Sequence, residues 1–164
     1  MKFATLPIRL KKWDGLRRGK ISLALGIKRI IFILFLFWIS IAHSQSLLKI
    51  PLYINSREIS VEVAKTLEER AYGLMGRKDL GKDEGMLFIF ETEEYHGFWM
   101  KDTYVPLSIA FIDKAGRIVK ITDMKPRTLE SHIPPRPILY ALEMKKGWFS
   151  NNGIKVGDII RFSK

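Results

Sequence analysis

The stretch Phe98–Arg117, FWMKDTYVPLSIAFIDKAGR, indicates the fold class of this chain. In its second half, Leu107, Ile109 and Phe111 alternate with the residues between them, a period of two that is typical of a β-strand. The letters DKAG follow, with a glycine where a hairpin loop needs a left-handed backbone, and an apolar segment then returns. The stretch therefore predicts a β-hairpin that is preceded by a short aromatic and charged segment.

Short apolar segments on both sides of this hairpin predict further strands. Thr66 and Glu69 have the spacing of a capping box, which predicts one helix over Leu67–Met75 that ends at Gly76. Seven or eight short strands with one short α-helix predict a mainly β domain, either a compact barrel or a two-sheet sandwich. The other predicted strands are 50–54, 59–64, 85–90, 138–144 and 159–162, with a proline-rich loop over 125–137 and a turn or single helical turn over 147–153.

The charge of the chain is concentrated in its first 44 residues. Nine Lys or Arg against one Asp give them +8, whereas residues 45–164 carry nineteen Lys or Arg against sixteen Asp or Glu, or +3. A nucleic-acid partner is therefore not expected, because it requires a basic patch on the folded domain. The chain contains no cysteine, which excludes disulfides, thiolate nucleophiles and sulfur-ligated zinc.

The same 44 residues have the three-part pattern of a secretory signal. A basic region precedes the apolar run Ile30–Ala42, and small residues at Ala42 and Ser44 predict cleavage before Gln45. Without cleavage, the uncharged segment 30–48 is nearly long enough to act as an N-terminal membrane anchor and would be the only membrane contact. Residues 1–44 are thus a signal peptide or anchor helix, and residues 45–164 are a single domain outside the cytoplasmic membrane, in the periplasm or at the cell surface.

Five motif blocks follow one another along the domain: GLMGR at 73–77, GMLFIF at 85–90, FWMKDT at 98–103, PLSIAFID at 106–113, and LEM, GWF and GIKVGD between 142 and 158. With these motifs the domain resembles the family known as domain of unknown function 192, small bacterial and archaeal proteins of which many are exported. The resemblance implies no reaction, because none is established for that family. This chain has Ser108 where many members carry Asp, Asp102 where Asn is frequent, and no aromatic residue over 131–137.

The segment before the hairpin supplies most of the candidate binding residues. Parity along an extended chain predicts that Phe98 and Met100 face the core, whereas Trp99 and Lys101 face the other side. Aromatic and polar side chains at such an edge are typical of a ligand site. The candidates from this segment are Trp99, Lys101, Asp102 and Thr103.

Glu143 and Arg77 complete the set of candidates. Glu143 shares its strand face with Leu139 and Ala141, and an acid on an apolar face needs a partner or a function. Arg77 or Lys101 could supply that partner in a buried ion pair, and the alternative is a carboxylate in a cleft. No cofactor and no metal site is expected, because the domain has two isolated histidines, no phosphate loop and no catalytic-triad motif.

Three functions are compatible with these observations. The leading interpretation is a binding or accessory module of the cell envelope, whose ligand is a small polar molecule, a glycan or a peptide. The first alternative is an envelope hydrolase or lyase that uses Lys101, Asp102 and Glu143. The second alternative is a structural partner of a membrane complex, held at the bilayer by an uncleaved leader.

Overall fold

The computed structural model describes residues 47–162, so the predicted leader and its cleavage site lie outside the described residues. Within 47–162, no helix is both long and apolar enough to cross a membrane. The described chain forms a single sheet of seven strands with two short helices. The strands are β1 Lys49–Ile54, β2 Arg57–Ala64, β3 Gly85–Glu94, β4 Leu107–Ile112, β5 Ile118–Met124, β6 Ile138–Lys145 and β7 Ile160–Phe162; the helices are α1 Leu67–Tyr72 and α2 Trp148–Asn151.

The sheet has the strand order β5-β4-β6-β3-β2-β1-β7 and curls into a half-barrel. Its two edges approach each other where the N–H of Ile160 donates to the carbonyl of Gly116 (2.8 Å) and the N–H of Ile118 donates to the carbonyl of Asp158 (2.9 Å). The mainly β prediction is confirmed. The sandwich alternative is wrong, because all seven strands belong to one sheet. The second short helix, α2, lies within 147–153, where a turn or a single helical turn was predicted.

The pair β2–β3 is parallel, whereas every other pair in the sheet is antiparallel. Parallel neighbours need a crossover connection, and α1 with the loop 73–84 provides it. The helix begins at the predicted capping box of Thr66 but ends at Tyr72, three residues earlier than predicted. Gly73 ends it with a φ of 52°, and its missing side chain lets the turn pack against the ring of Phe88.

Both faces of the sheet carry a buried apolar cluster. One cluster is centred on α2 and contains Leu87 and Leu142; the other contains Met86 and Met100. Strand β4 is buried at all six positions, because it carries residues of both apolar clusters. The second face, which we call the turn-side face, is covered by the loop 73–84 and the segment 98–105.

Candidate functional site

A tight turn over Met100–Thr103 carries the tip of the predicted site. The N–H of Thr103 donates to the carbonyl of Met100 (3.2 Å), which leaves Lys101 and Asp102 exposed at the tip. Asp102 has a φ of 49°, a left-handed backbone that Asp and Asn tolerate better than other non-glycine residues. The turn therefore explains an aspartate at this position, which gives Asp102 a conformational role.

Thr103 is buried and belongs to the structure of this turn. Its side chain is 4% exposed, and its Oγ1 donates to the carbonyl of Lys101 (3.1 Å). A hydroxyl that is satisfied inside the turn and shielded from solvent is poorly placed to contact a ligand. Thr103 is thus a support for the candidate site.

Backbone hydrogen bonds fasten the segment to the loop 125–137. Phe98 and His132 exchange two N–H to carbonyl bonds of 3.0 and 2.8 Å. The N–H of Met100 donates to the carbonyl of Thr128 (3.1 Å), and the N–H of Arg127 donates to the carbonyl of Thr103 (3.1 Å). These bonds hold the turn in a defined position, as a preorganised binding surface requires.

The parity prediction for this segment is confirmed. Met100 is fully buried, and the Phe98 ring makes edge-to-face contacts with Phe88 and Phe111 at centroid distances of 5.0 and 5.8 Å. Trp99 points the other way and remains 51% exposed. The core residues therefore anchor the turn, while the alternate side chains remain available to a ligand.

The turn segment and the loop to which it is hydrogen-bonded form two cation–aromatic pairs. The Lys101 ammonium lies 5.7 Å from the centre of the Trp99 ring, and the Arg127 guanidinium lies 5.8 Å from the centre of the Tyr104 ring. Tyr104 is 52% exposed. We call these four residues the ridge. Tyr104 and Arg127 are absent from the sequence-based candidates, because Arg127 lies in an irregular loop whose partner only the fold reveals.

Glu143 lies in a row of paired positions that runs across the turn-side face. Glu62 on β2 pairs with Met86 on β3, Met86 pairs with Glu143 on β6, and Glu143 pairs with Ile109 on β4. Paired positions point to the same side of a sheet, so these side chains share one face. Glu143 is 4% exposed, and burial away from water raises the pKa of its carboxyl to about 8.

The predicted ion pair of Glu143 with Arg77 or Lys101 is wrong for the described residues. Arg77 instead pairs with Glu62, and Lys101 lies over Trp99. Within residues 47–162, no cation lies within ion-pair distance of the Glu143 carboxylate. Because its charged form has no compensating partner there, Glu143 is held in its neutral, protonated form at neutral pH.

The loop 73–84 links Arg77 to the turn. The N–H of Gly76 donates to the carbonyl of Asp102 (2.9 Å), and two ion pairs, Arg77 with Glu62 and Asp79 with Lys145 (3.2 Å), fasten the loop to β2 and β6. The candidate residues thus differ in their exposure to solvent. Trp99, Lys101 and Asp102 are exposed on the turn, whereas Thr103 and Glu143 are buried and Arg77 is engaged in an ion pair.

Ser108 has a structural explanation. Its Oγ donates to Oδ1 of Asp123 (2.6 Å) and accepts from the N–H of Gly147 (2.9 Å), the residue that precedes α2. Ser108 and Asp123 are paired positions of β4 and β5, so an Asp at position 108 would place two carboxylates side by side. The hydroxyl therefore suits this neighbour better than an acid would.

The histidines and acidic residues of the described chain add no metal site to the ridge. Among residues 47–162, no group of three or more His, Cys, Asp or Glu side chains is arranged to hold a metal ion. His96 stacks on Phe90 at 3.5 Å, and Nε2 of His132 is buried without a hydrogen-bond partner. A shallow depression lies elsewhere, lined by Ile54, Asn55, Ser56, Arg57, Glu58 and Asn152.

Comparison with protein families decides the family of the chain. The model of the domain of unknown function 192 family, described as "Uncharacterized ACR", matches residues 51–162. The chain belongs to this family. The resemblance inferred from the sequence motifs is confirmed, and the match covers almost all of the described half-barrel. No curated protein matches the chain.

Two solved structures have the same fold as this member of the family. A crystal structure from Sinorhizobium meliloti 1021, described as that of "a putative transcription regulator", is 30% identical with a TM-score of 0.70, and the match covers 73% of this chain and 97% of that one. A crystal structure of a protein of unknown function from Novosphingobium aromaticivorans DSM 12444 is 31% identical with a TM-score of 0.68. This second match covers 73% of the present chain and 89% of the other chain.

Proposed function

We propose that this protein is an exported or membrane-tethered binding module of the cell envelope that recognises a glycan at the ridge. The observation that carries this proposal is the exposure of Trp99 and Tyr104 on a turn that is hydrogen-bonded on both sides. Large aromatic rings expose apolar surface to water, and they stack readily on flat ligands. A sugar ring presents a face of C–H groups to such a surface and hydroxyls to the polar groups around it.

The position of the ridge supports recognition more than it supports folding. Phe98 and Met100 already supply the packing that anchors the segment, so the exposed rings of Trp99 and Tyr104 contribute little to the core. The bonds to Thr128 and Arg127 fix the backbone before any ligand arrives, which lowers the entropic cost of binding.

The sequence of the leader supports the location. Its basic, apolar and small-residue regions follow the order of a secretory signal, and an uncleaved leader would tether the domain to the membrane. A ligand that the domain meets outside the cytoplasm is compatible with both outcomes. N-terminal sequencing of the exported protein tests this part, since a mature chain that begins at Gln45 supports cleavage and an intact N-terminus supports a tether.

The hydrolase or lyase alternative has less support from the geometry. Lys101 and Asp102 occupy the exposed tip of the turn, whereas Glu143 is buried on the sheet beneath its covering segments. An acid and a base must both reach one substrate within hydrogen-bonding distance. The protonated Glu143 has the chemistry of a general acid, but the two other residues do not share its environment.

Thermal unfolding with a panel of oligosaccharides tests the glycan-binding proposal. A ligand present at a hundred times its Kd stabilises the folded protein by about 2.7 kcal/mol. We expect at least one oligosaccharide to raise the Tm of the wild type, and Trp99→Ala to lose most of that increase. Tyr53→Ala, which removes a partly exposed ring from β1, is the matched control and should keep it. An equal ligand-induced shift in wild type and Trp99→Ala would show that the ridge is not the binding site.

A further inference from the structure

Neither cation of the ridge is ion-paired with an Asp or Glu side chain of residues 47–162. Seven Lys or Arg side chains of residues 47–162 are ion-paired with Asp or Glu. Within the same residues, Lys101, Lys125 and Arg127 are in no such pair, and all three are exposed. They lie on two segments that are hydrogen-bonded to each other, and two of them, Lys101 and Arg127, lie over the exposed rings of Trp99 and Tyr104.

Arg127 is the residue whose presence the fold explains least. Its φ is 58°, in the left-handed region that glycine adopts freely and that a long side chain adopts only with strain. The other non-glycine residues with positive φ among the described residues are Asn55 and Asp102, types that tolerate this conformation. A glycine at position 127 would allow the same turn with less strain, so the backbone of this turn does not itself require an arginine.

The stacked geometry suits an anion receptor. Each cation lies over a ring face that it can leave when a stronger anionic partner arrives, and the flat guanidinium of Arg127 can bind a carboxylate or phosphate with two hydrogen bonds. The carboxylates of Asp102 at the turn tip and of Glu130 on the loop offset two of the three charges of Lys101, Lys125 and Arg127, which leaves one positive charge in excess on the two segments.

We propose that the ligand of the ridge is an acidic glycan, one that carries carboxylate or phosphate groups. Its sugar faces stack on Trp99 and Tyr104, and its anionic groups are bound by Lys101 and Arg127. This inference rests on the proposed function and adds the charge of the ligand to it. A single-stranded nucleic acid also combines flat rings with phosphates, but it favours a longer basic groove than the domain's excess of three positive charges provides.

Isothermal titration of the full chain at two salt concentrations tests the inference. The probes are a hexamer of galacturonic acid, a short poly(glycerol phosphate) glycan, neutral maltohexaose, and a six-nucleotide oligothymidylate. We expect one of the two acidic glycans to bind at least about tenfold more tightly than maltohexaose at low salt, and to lose that advantage as salt screens the contacts.

Arg127→Gly is the decisive variant because it separates binding from folding. We expect its Tm to equal or exceed that of the wild type, since glycine relieves the left-handed strain, while its affinity for the acidic glycan falls about tenfold. Lys155→Ala removes an exposed cation of the segment before β7 and serves as the matched control, with unchanged affinity. Equal affinity of Arg127→Gly and wild type for the acidic glycan would overturn the inference.

The remaining outcomes distinguish this inference from the function on which it rests. If maltohexaose binds as tightly as the acidic glycans, and Trp99→Ala abolishes its binding, the ridge binds sugars but the inferred charge of the ligand is wrong. If no oligosaccharide binds, both the charge and the glycan-binding function are wrong. Tighter binding of the oligothymidylate than of either acidic glycan would overturn the inference in favour of a nucleic-acid partner.

Discussion

Replacement of Glu143 by glutamine should remove most of the dependence of stability on pH between pH 5 and 9. The folded protein holds this carboxyl away from water, and its pKa rises from 4.5 to about 8. Because the folded pKa lies above the unfolded one, the stabilisation by the protonated form is complete below pH 4.5 and is lost as the pH rises through 8. Glutamine has nearly the same shape and does not ionise.

The size of the effect follows from the two pKa values. Each unit between them corresponds to about 1.4 kcal/mol, so the wild type should lose about 4 kcal/mol of unfolding free energy between pH 5 and pH 9. At pH 5 the two proteins should agree within about 1 kcal/mol, because the carboxyl and the amide are both neutral and both lack a charged partner. At pH 9 Glu143→Gln should be the more stable protein by about 3 to 5 kcal/mol.

Some carboxyls have a pKa that is lower in the folded protein, and their effect on stability falls below this pH window. Backbone N–H groups of Thr66 and Lys65 lower the pKa of Glu69, and the backbone N–H of Lys155 lowers the pKa of Asp158. The stability that such groups contribute is present above their unfolded pKa values and is lost only as the pH falls through their lowered folded values. The slope between pH 5 and 9 therefore reports mainly on Glu143.

Urea unfolding monitored by far-ultraviolet circular dichroism at pH 5, 7 and 9 provides the assay. Glu91→Gln, which changes an exposed acid of β3, is the control and should follow the wild type at all three values. Equal stability of the wild type at pH 5 and pH 9 would contradict the raised pKa of the Glu143 carboxyl. If Glu143→Gln retains the pH dependence of the wild type's unfolding free energy, the titrating group is not Glu143.

Three further predictions concern the positions that hold the half-barrel together, and thermal or urea unfolding measures each of them. Thr66→Ala removes the side-chain half of the capping box of α1 and should cost about 1 kcal/mol, so an unchanged midpoint would argue against the cap. Gly85→Ala would press its Cβ against the backbone of β6 and should cost about 3 kcal/mol, whereas Gly153→Ala, at a φ of 68° in open space, should cost about 1 kcal/mol. Ser108→Ala leaves two polar partners without their shared hydroxyl and should cost about 2 kcal/mol; a cost below about 0.5 kcal/mol would contradict this role.

Local patterns account for the parts of the fold that could be predicted. The hairpin of β4 and β5, the capping box of α1 and the alternation of Phe98 and Met100 with Trp99 all depend on residues close together in the chain. Turn chemistry and side-chain parity express themselves within such short stretches. Their structure could therefore be predicted with the correct face and nearly the correct bounds.

Non-local pairing accounts for the parts that could not be predicted. The parallel contact of β2 with β3 and the curl that brings β5 near β7 depend on which strands meet across the fold. The partner of Arg77 depends on the same strand pairing, because Glu62 and Glu143 lie on one face of the sheet, two strands apart. The arginine pairs with Glu62. No spacing in the sequence distinguishes these two acids as partners.

The ridge shows the same division between local and non-local information. Trp99 and Lys101 could be found from parity, whereas Arg127 reaches Tyr104 only through the hydrogen bond of its loop to Thr103. The left-handed backbone at Arg127 also has no signal in the sequence, because glycine, asparagine and aspartate are the residues that indicate such positions. The strongest argument for anion binding thus comes from the structure alone.

The most direct test of the central claim is the mapping of amide chemical-shift changes while the domain of residues 45–164 is titrated with an acidic hexasaccharide. The account predicts saturable changes that are largest at Trp99, Lys101, Tyr104 and Arg127, with small changes across β1 and β2. Changes centred on the depression lined by 54–58 and Asn152, with the ridge unaffected, would contradict it.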